Sequence, residues 1–301
     1  MPLLLSLIAD PQKAPLTQDH VETARAAAVA LGASAGEGRW LSPREAWSCS
    51  VEGIAPGAVS ALRMRLADQP VDLNLVDDTG TRPVLVADMD STMIEQECID
   101  ELADVAGAGD KVRAITARAM NGELAFEDAL RERVQTLQGL PAQVIAQVIA
   151  TRITFMPGGA ELIATMRKRG SHCALISGGF THFTRHVAAS LGFHEHQANQ
   201  LLEEDGRLTG LVSEPILGRD AKVDALARIC TELKVPAGSA ITIGDGANDV
   251  PMLQAAGLGV ALHAKPAVRE QVQVQVNHGN LTAILFLQNI ARNEFAAPHK
   301  V

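Results

Sequence analysis

Tyrosine is absent from the chain, and aromatic residues make up only 3 % of its 301 positions. The core must therefore be aliphatic, and a platform on which nucleic-acid bases stack is excluded. Cysteine is scarce: Cys49, Cys98, Cys173 and Cys230 stand far apart with no CxxC among them. That spacing excludes a disulfide frame and a thiolate zinc site, and reads as buried or incidental thiols in a reducing compartment. Positive charge is short, with 26 Lys and Arg against 35 Asp and Glu and a net charge of −9. The deficit is shared, so neither half offers the basic field a nucleic acid needs. Long apolar runs are missing too. The uncharged stretch Val134–Thr151 carries four Gln and Pro141, which makes lipid a poor solvent for it. The apolar start Pro2–Ala9 has no basic residues before it and meets Asp10 at once, so it reads as a first strand, not a signal peptide. Together these absences predict a cytoplasmic protein with neither nucleic-acid nor membrane partners.

What is present is a well-funded core, 47 % apolar against 20 % charged, enough to bury a globular interior. The first 80 residues predict a small α+β unit: a strand at Leu3–Ala9, a helix over Thr17–Leu31 stopped by Gly32, short strands at Arg39–Leu41 and Ala46–Val51, a helix over Pro56–Ala67 and a half-buried strand at Val71–Val76. The order βαββαβ is that of a ferredoxin-like sheet. The turn-rich Asp77–Pro83 marks the boundary, giving domains 1–80 and 81–301.

Beyond the boundary the pattern changes. Val84–Ala87, Ala174–Ile176, Ala240–Ile243 and Gly257–Leu262 are continuous apolar runs, as buried parallel strands are. Helical stretches separate them, so the second domain is predicted to be an α/β, doubly wound parallel sheet. About 95–155, between the first two runs, is helix-rich and longer than one crossover requires. Gly107, Gly109, Gly122 and Gly139 break it into segments, and it reads as an inserted helical cap.

Polar residues cluster where these strands end, which is where ligands bind in such sheets. Asp88-Met89-Asp90-Ser91-Thr92 puts two carboxylates in one turn, able to bind a divalent cation or to divide acid and base roles; acidic turns after strands are also common without function. Ser177-Gly178-Gly179-Phe180 lets backbone N–H groups approach an anion, or is a plain turn with Ser177 as N-cap. Lys222 opens a helix, where most lysines are solvated surface. Gly244-Asp245-Gly246-Ala247-Asn248-Asp249 crowds acids and an amide into one turn, an arrangement suited to Mg²⁺. His182, His186, His194 and His196 show no ligand spacing and read as surface.

These four elements, in this order, resemble the motifs of the haloacid dehalogenase superfamily of phosphatases, and residues 84–290 resemble its branch acting on phosphoserine. The resemblance implies Asp88 as nucleophile forming an aspartyl-phosphate, and Asp90 as acid and base. It implies Mg²⁺ held by Asp88, Asp245 and the carbonyl of Asp90. Ser177, Gly178 and Lys222 would bind phosphate, with Asn248 and Asp249 orienting Lys222 and metal-bound water. In the cap, Glu97 and Arg133 match the positions that hold the substrate's ammonium and carboxylate, and Met120 and Phe126 match apolar positions closing over it. Glu97 and Arg133 taken alone read as charges on solvated helix faces. The implied activity is hydrolysis of O-phospho-L-serine, the last step of serine synthesis. Transfer of the phosphoryl group to another hydroxyl such as homoserine, or an amino-acid-sensing role, are the alternatives. The first 80 residues resemble ACT-like regulatory domains in element order, which implies a homodimer and serine as a feedback ligand.

Overall fold

The computed structural model of the chain describes residues 3–120 and 123–298, apart from the side chain of Met120. The N-terminal unit runs β1 (Leu3–Ala9), α1 (Gln18–Ala30), β2 (Ser34–Ser42), β3 (Ala46–Glu52), α2 (Val59–Arg63) and β4 (Val71–Asp77). Thr17 caps α1: its hydroxyl accepts from His20 N–H at 3.4 Å while the His20 ring accepts from Thr17 N–H at 3.2 Å, a reciprocal pair that satisfies two orphan donors. The helix expected over 56–67 is shorter than its sequence suggests. Only five residues are α-helical, with 3₁₀ turns at Pro56–Ala58 and Met64–Leu66. The strands order as β2-β3-β1-β4 with every neighbour antiparallel, the ferredoxin-like arrangement.

This sheet is covered on both faces. Leu5, Leu7, Leu73 and Leu75 pack against the helices α1 and α2, while Leu4, Ile8, Ala46 and Val76 join the core of the second unit. Burial on both sides explains why β1 is apolar at nearly every position. It also corrects the reading of β4 as half-buried. Residues 71–76 are all buried, because the polar Asp72 and Asn74 face the second unit instead of water.

The second unit begins with β5 (Val84–Ala87). The cap follows as α3 (Cys98–Val105), α4 (Gly109–Met120), α5 (Phe126–Gln135) and α6 (Gln143–Arg152). Breaks fall at Gly107 and Gly139 as expected; Gly122 lies outside the described residues. The chain then forms α7 (Gly159–Lys168), β6 (His172–Phe180), α8 (Thr181–Leu191), β7 (Glu195–Asn199), β8 (Leu201–Glu204), β9 (Arg207–Val212), α9 (Arg219–Glu232) and β10 (Ala240–Gly244). It ends with α10 (Val250–Ala255), β11 (Leu258–Leu262), α11 (Pro266–Arg269), β12 (Val274–Val276) and α12 (Ala283–Phe286). Among the described residues, β12-β11-β10-β5-β6-β7 form one parallel sheet, the doubly wound arrangement that the sequence predicts. Two of its strands carry no sequence signal: β7 reads Glu-His-Gln-Ala-Asn and β12 has three residues. Both are edge strands, half-covered, so neither needs an apolar run.

The hairpin β8–β9 was also not foreseen. It reaches the cap, where Gly139 N–H donates to Leu208 O at 2.8 Å and Leu208 N–H donates to Leu140 O at 2.9 Å. No helix among the described residues is long and apolar enough to cross a membrane.

Candidate active site

The parallel sheet reverses its strand order at β5 and β10, and the carboxyl ends of those two strands open onto one crevice. Asp88 follows β5 directly and its N–H donates to Ile243 O of β10 at 3.0 Å. Asp245 follows β10. Lys222 rises from the first turn of α9, with Nζ 2.7 Å from Asp88 Oδ1 and 2.5 Å from Asp249 Oδ1. All three are buried, at 2 % exposure for Lys222, 6 % for Asp88 and 0 % for Asp249. The reading of Lys222 as a solvated surface lysine is thereby set aside for a physical reason: its charge is held by two carboxylates inside the fold. Burial works against the ammonium, but Asp249 and Asp88 outweigh it and keep Lys222 protonated. Asp249 is fixed in turn by Gly246 N–H at 2.9 Å, and Asp245 by the Thr92 hydroxyl at 2.9 Å.

Carboxylate oxygens of Asp88, Asp245 and Asp249 lie within 4.8 Å of one another. Three acids around one ammonium leave an excess of negative charge in a poorly hydrated place. Burial and the neighbouring Asp249 push Asp88 well above the usual carboxylate range, and burial with Asp249 pushes Asp245 up to about 6. An all-oxygen donor set with surplus negative charge fits a hard divalent cation. The Asp90 carboxylate is not part of this group. It turns the other way, accepting from Cys98 N–H at 2.9 Å and the Ser177 hydroxyl at 3.2 Å.

A pH-dependent metal response follows. Raised acid pKa values mean that the metal-free folded state binds more protons than the unfolded chain between about pH 3.8 and 6, so this cluster's contribution to stability falls as pH rises through that window. A cation competes with those protons. Added Mg²⁺ is expected to raise the melting temperature more at roughly pH 7.5, above that window, than at roughly pH 5, inside it where the folded-state acids still hold protons. A shift equal at both pH values counts against a carboxylate site.

Ser177 is not an N-cap. It lies inside β6, and the residue capping α8 is Phe180. The Ser177 hydroxyl accepts from Gly179 N–H at 2.9 Å, which folds the Ser-Gly-Gly turn tightly against Asp90. A methyl group on Gly179 would stand 2.6 Å from Asp90 Oδ2, so only glycine permits this approach. Burial raises Asp90 above the carboxylate range, while Cys98 and Ser177 as donors pull it back.

The cap brings its own groups to the same place. Glu97 precedes α3 and accepts from the Ser91 hydroxyl at 2.7 Å. Its residue surface is exposed overall, yet desolvation of the carboxyl by the surrounding protein, with Asp90 adding to the effect, pushes it up to about 7. Arg133 is half-buried on α5; its Nε donates to Ala129 O at 3.2 Å, and its charge faces Asp100, Glu97 and Asp90. The Phe126 ring lies over Gly178 and Gly218, where added methyl groups would meet it at 3.1 and 3.5 Å. Asn248 sits in the same turn as Asp245 and Asp249, beside Gly246. The side chain of Met120 lies outside the described residues.

Sequence reading missed Asn199. It is 2 % exposed; its amide donates to Gly178 O at 2.9 Å and to Leu217 O at 3.2 Å, and its carbonyl accepts from Leu217 N–H at 2.7 Å. It thereby staples the glycine turn to the segment leading to Lys222. A polar residue ending a polar edge strand gives no signal of that role. The histidines form no cluster: His186 stacks on Phe155, His196 meets the Thr184 hydroxyl, His182 faces Glu203 and His194 stacks on His172. The four cysteines are free and buried, as expected.

This fold has counterparts in known proteins. The chain belongs to the haloacid dehalogenase-like hydrolases, whose profile matches residues 85–254. Within that family it is similar to a phosphoserine phosphatase of Mycobacterium tuberculosis, 42 % identical over 81 % of this chain and 61 % of the other. The match thus spans about six-tenths of that relative's length. Among solved structures, a probable phosphoserine phosphatase from Vibrio cholerae superposes with a TM-score of 0.77 at 30 % identity, over 97 % of this chain and 88 % of the other. A phospho-aspartyl intermediate analogue of phosphoserine phosphatase superposes with a TM-score of 0.64 at 36 % identity, over 68 % and 98 %.

Proposed function

We propose that the chain hydrolyses O-phospho-L-serine to L-serine and phosphate, with Mg²⁺, through an aspartyl-phosphate on Asp88. The observation that carries this reading is the convergence of Asp88, Asp245, Asp249 and Lys222 at the strand ends, with Asp90 on one side and the cap's Glu97 and Arg133 facing them. The solved phospho-aspartyl analogue of a similar protein supports the intermediate.

A carboxylate approaching a phosphate dianion meets like charge, at roughly 4 kcal/mol per pair of unit charges at ~4 Å and an effective dielectric near 20. The site has to offset that repulsion. Lys222 supplies one full positive charge beside Asp88, and the Ser177 hydroxyl with the Gly178 N–H supplies directed donors. Asp88, Asp245 and the Asp90 carbonyl would hold Mg²⁺, with Asn248 and Asp249 behind them. When bound, the ion supplies further positive charge at the phosphate oxygens. Asp90, raised by burial, protonates the departing serine oxygen and then takes a proton from the attacking water.

Specificity lies in the cap. Arg133 grips the substrate carboxylate through two parallel N–H groups, Glu97 receives its ammonium, and Phe126 closes over the phosphate turn. Arg133→Ala is expected to lower kcat/KM for phosphoserine by roughly 100-fold, a loss of a charge-assisted pair of ~3 kcal/mol. Hydrolysis of p-nitrophenyl phosphate, which has no carboxylate, should change little. Equal losses on both substrates would remove Arg133 from the recognition role.

Residues 1–80 we read as an ACT-like regulatory domain of a cytoplasmic homodimer, with serine as feedback ligand. Residues 81–301 are the catalytic domain. The deciding experiment is a panel of phosphorylated metabolites assayed with Mg²⁺ and with chelator, with homoserine added in one arm. Phosphoserine turnover that chelator abolishes supports the reading; no turnover, or release of phosphohomoserine in place of phosphate, overturns it.

A further inference from the structure

The reaction leaves unused a buried carboxylate at the seam between the two units. Asp72, on β4, is 3 % exposed. Its Oδ1 accepts from Asn277 N–H at 2.7 Å, and its Oδ2 accepts from His278 and Gly279 N–H at 3.0 and 2.8 Å. Beside it Asn74 mimics a strand edge toward Gln275, donating to its carbonyl at 2.9 Å and accepting from its N–H at 3.0 Å. Arg63 adds a bond to Gln273 O at 2.7 Å. Asp72 therefore clamps residues 277–279 as an anion clamps a nest of N–H groups.

That clamped segment continues into the catalytic unit. Leu281 N–H donates to Pro157 O at 3.1 Å. Gly158, at φ +83°, is packed so closely that a methyl group on it would stand 2.6 Å from Asn280 Oδ1 and 2.7 Å from Thr282 N. Pro157 and Gly158 are where the chain returns from the cap to α7. One residue earlier Met156 N–H donates to Met93 O at 3.0 Å, and Met93 N–H donates to Met89 O at 2.8 Å. Met89 stands between Asp88 and Asp90. A run of short contacts thus leads from β4 through the cap's return linker to the turn that carries both acids.

We propose that Asp72 is a positioning residue that, from the N-terminal unit, sets the cap's return linker and so the closure of the cap over the site. The energetic coupling along this run is a measurable quantity. Hydrogen exchange on the full chain measures it without reference to any substrate. Asp72→Asn replaces one acceptor oxygen by a donor facing the N–H groups of 277–279. Exchange at those amides and also at Leu281 and Met156 is expected to rise about tenfold, in the usual range of coupling between sites. Amides of β1 and β10 should keep their rates. Acceleration confined to 277–279 overturns the proposal, and so does acceleration throughout the chain. Gly158→Ala strains the linker end of the same run and should speed exchange at 277–281 with Asp72 intact; unchanged rates there also overturn it. The kinetic arm rests on the proposed phosphoserine activity. There Asp72→Asn should lower kcat/KM for phosphoserine about tenfold and leave p-nitrophenyl phosphate within about twofold. A mere loss of stability would lower both together. Absence of any phosphoserine turnover in the parent would sink that activity while the exchange result still decides the role of Asp72.

Discussion

Asp88→Asn is expected to fold as the parent does and to lose turnover by a factor on the order of 10⁴ or more, the usual scale when a reacting group is removed. An amide in the same shape has no anionic oxygen to attack phosphorus. The fold should tolerate it because Asp88 sits in a surplus of like charge: burial and the nearby Asp249 and Asp245 all disfavour its ionised form. The amide oxygen can still accept from Lys222, whose ammonium now stands 2.7 Å from Asp88 Oδ1. Metal-free Asp88→Asn is therefore expected to melt at or above the parent's temperature near neutral pH. Thermal melts beside phosphate-release assays check both halves. A purified, folded variant that turns over at the parental rate would remove the covalent route.

Lys222→Met should act in the opposite sense on stability. Lys222 is the ammonium that faces both Asp88 and Asp249, and all three are buried. Methionine keeps much of the volume and removes the charge, leaving the acids together without their partner. Breaking a buried pair from one side costs roughly 3–5 kcal/mol, which for a chain of this size lowers the melting temperature on the order of 10 °C. Turnover should fall sharply as well, since the side-chain ammonium beside the attacking carboxylate would be gone. The pH dependence carries the sign of the cause. With Lys222 gone, the pKa of Asp88 rises further above its unfolded value, so the folded state holds a proton that the unfolded chain releases, and stability falls as pH rises above about 4. The deficit relative to the parent should therefore be smaller at pH 5 than at pH 8. A deficit that is constant with pH would mean that lost packing, not unpaired charge, is what Lys222 prevents.

Much of this site was legible because its residues are spaced by the fold's own periodicity. Apolar runs that stop at Asp88 and Asp245 announce buried parallel strands, and adjacent parallel strands must deliver their next residues to one edge of the sheet. The Gly-rich turns announce close backbone approach. Local chemistry was less legible where a residue's environment comes from elsewhere in the chain. Lys222 looks like any surface lysine until Asp249, 27 residues on, is folded against it. Ser177 looks like an N-cap until β6 runs on past it to Phe180. Asn199 carries no pattern at all, since what it holds, Gly178 and Leu217, comes from other segments of the chain.

The sequence alone determined the alternation of elements, the parallel sheet, the inserted cap and the identity of the acids at the strand ends, because these follow from hydrophobic period and from strand-end position. Only the tertiary structure decided which carboxylates share one space, that Asp90 turns away from the other three toward Ser177 and Cys98, and that Asp72 is a buried link between units and not a surface acid. Those outcomes depend on distances between segments far apart in the chain. Burial, charge pairing and hydrogen bonding change over a few ångströms, and no local pattern of residues encodes a separation of that size.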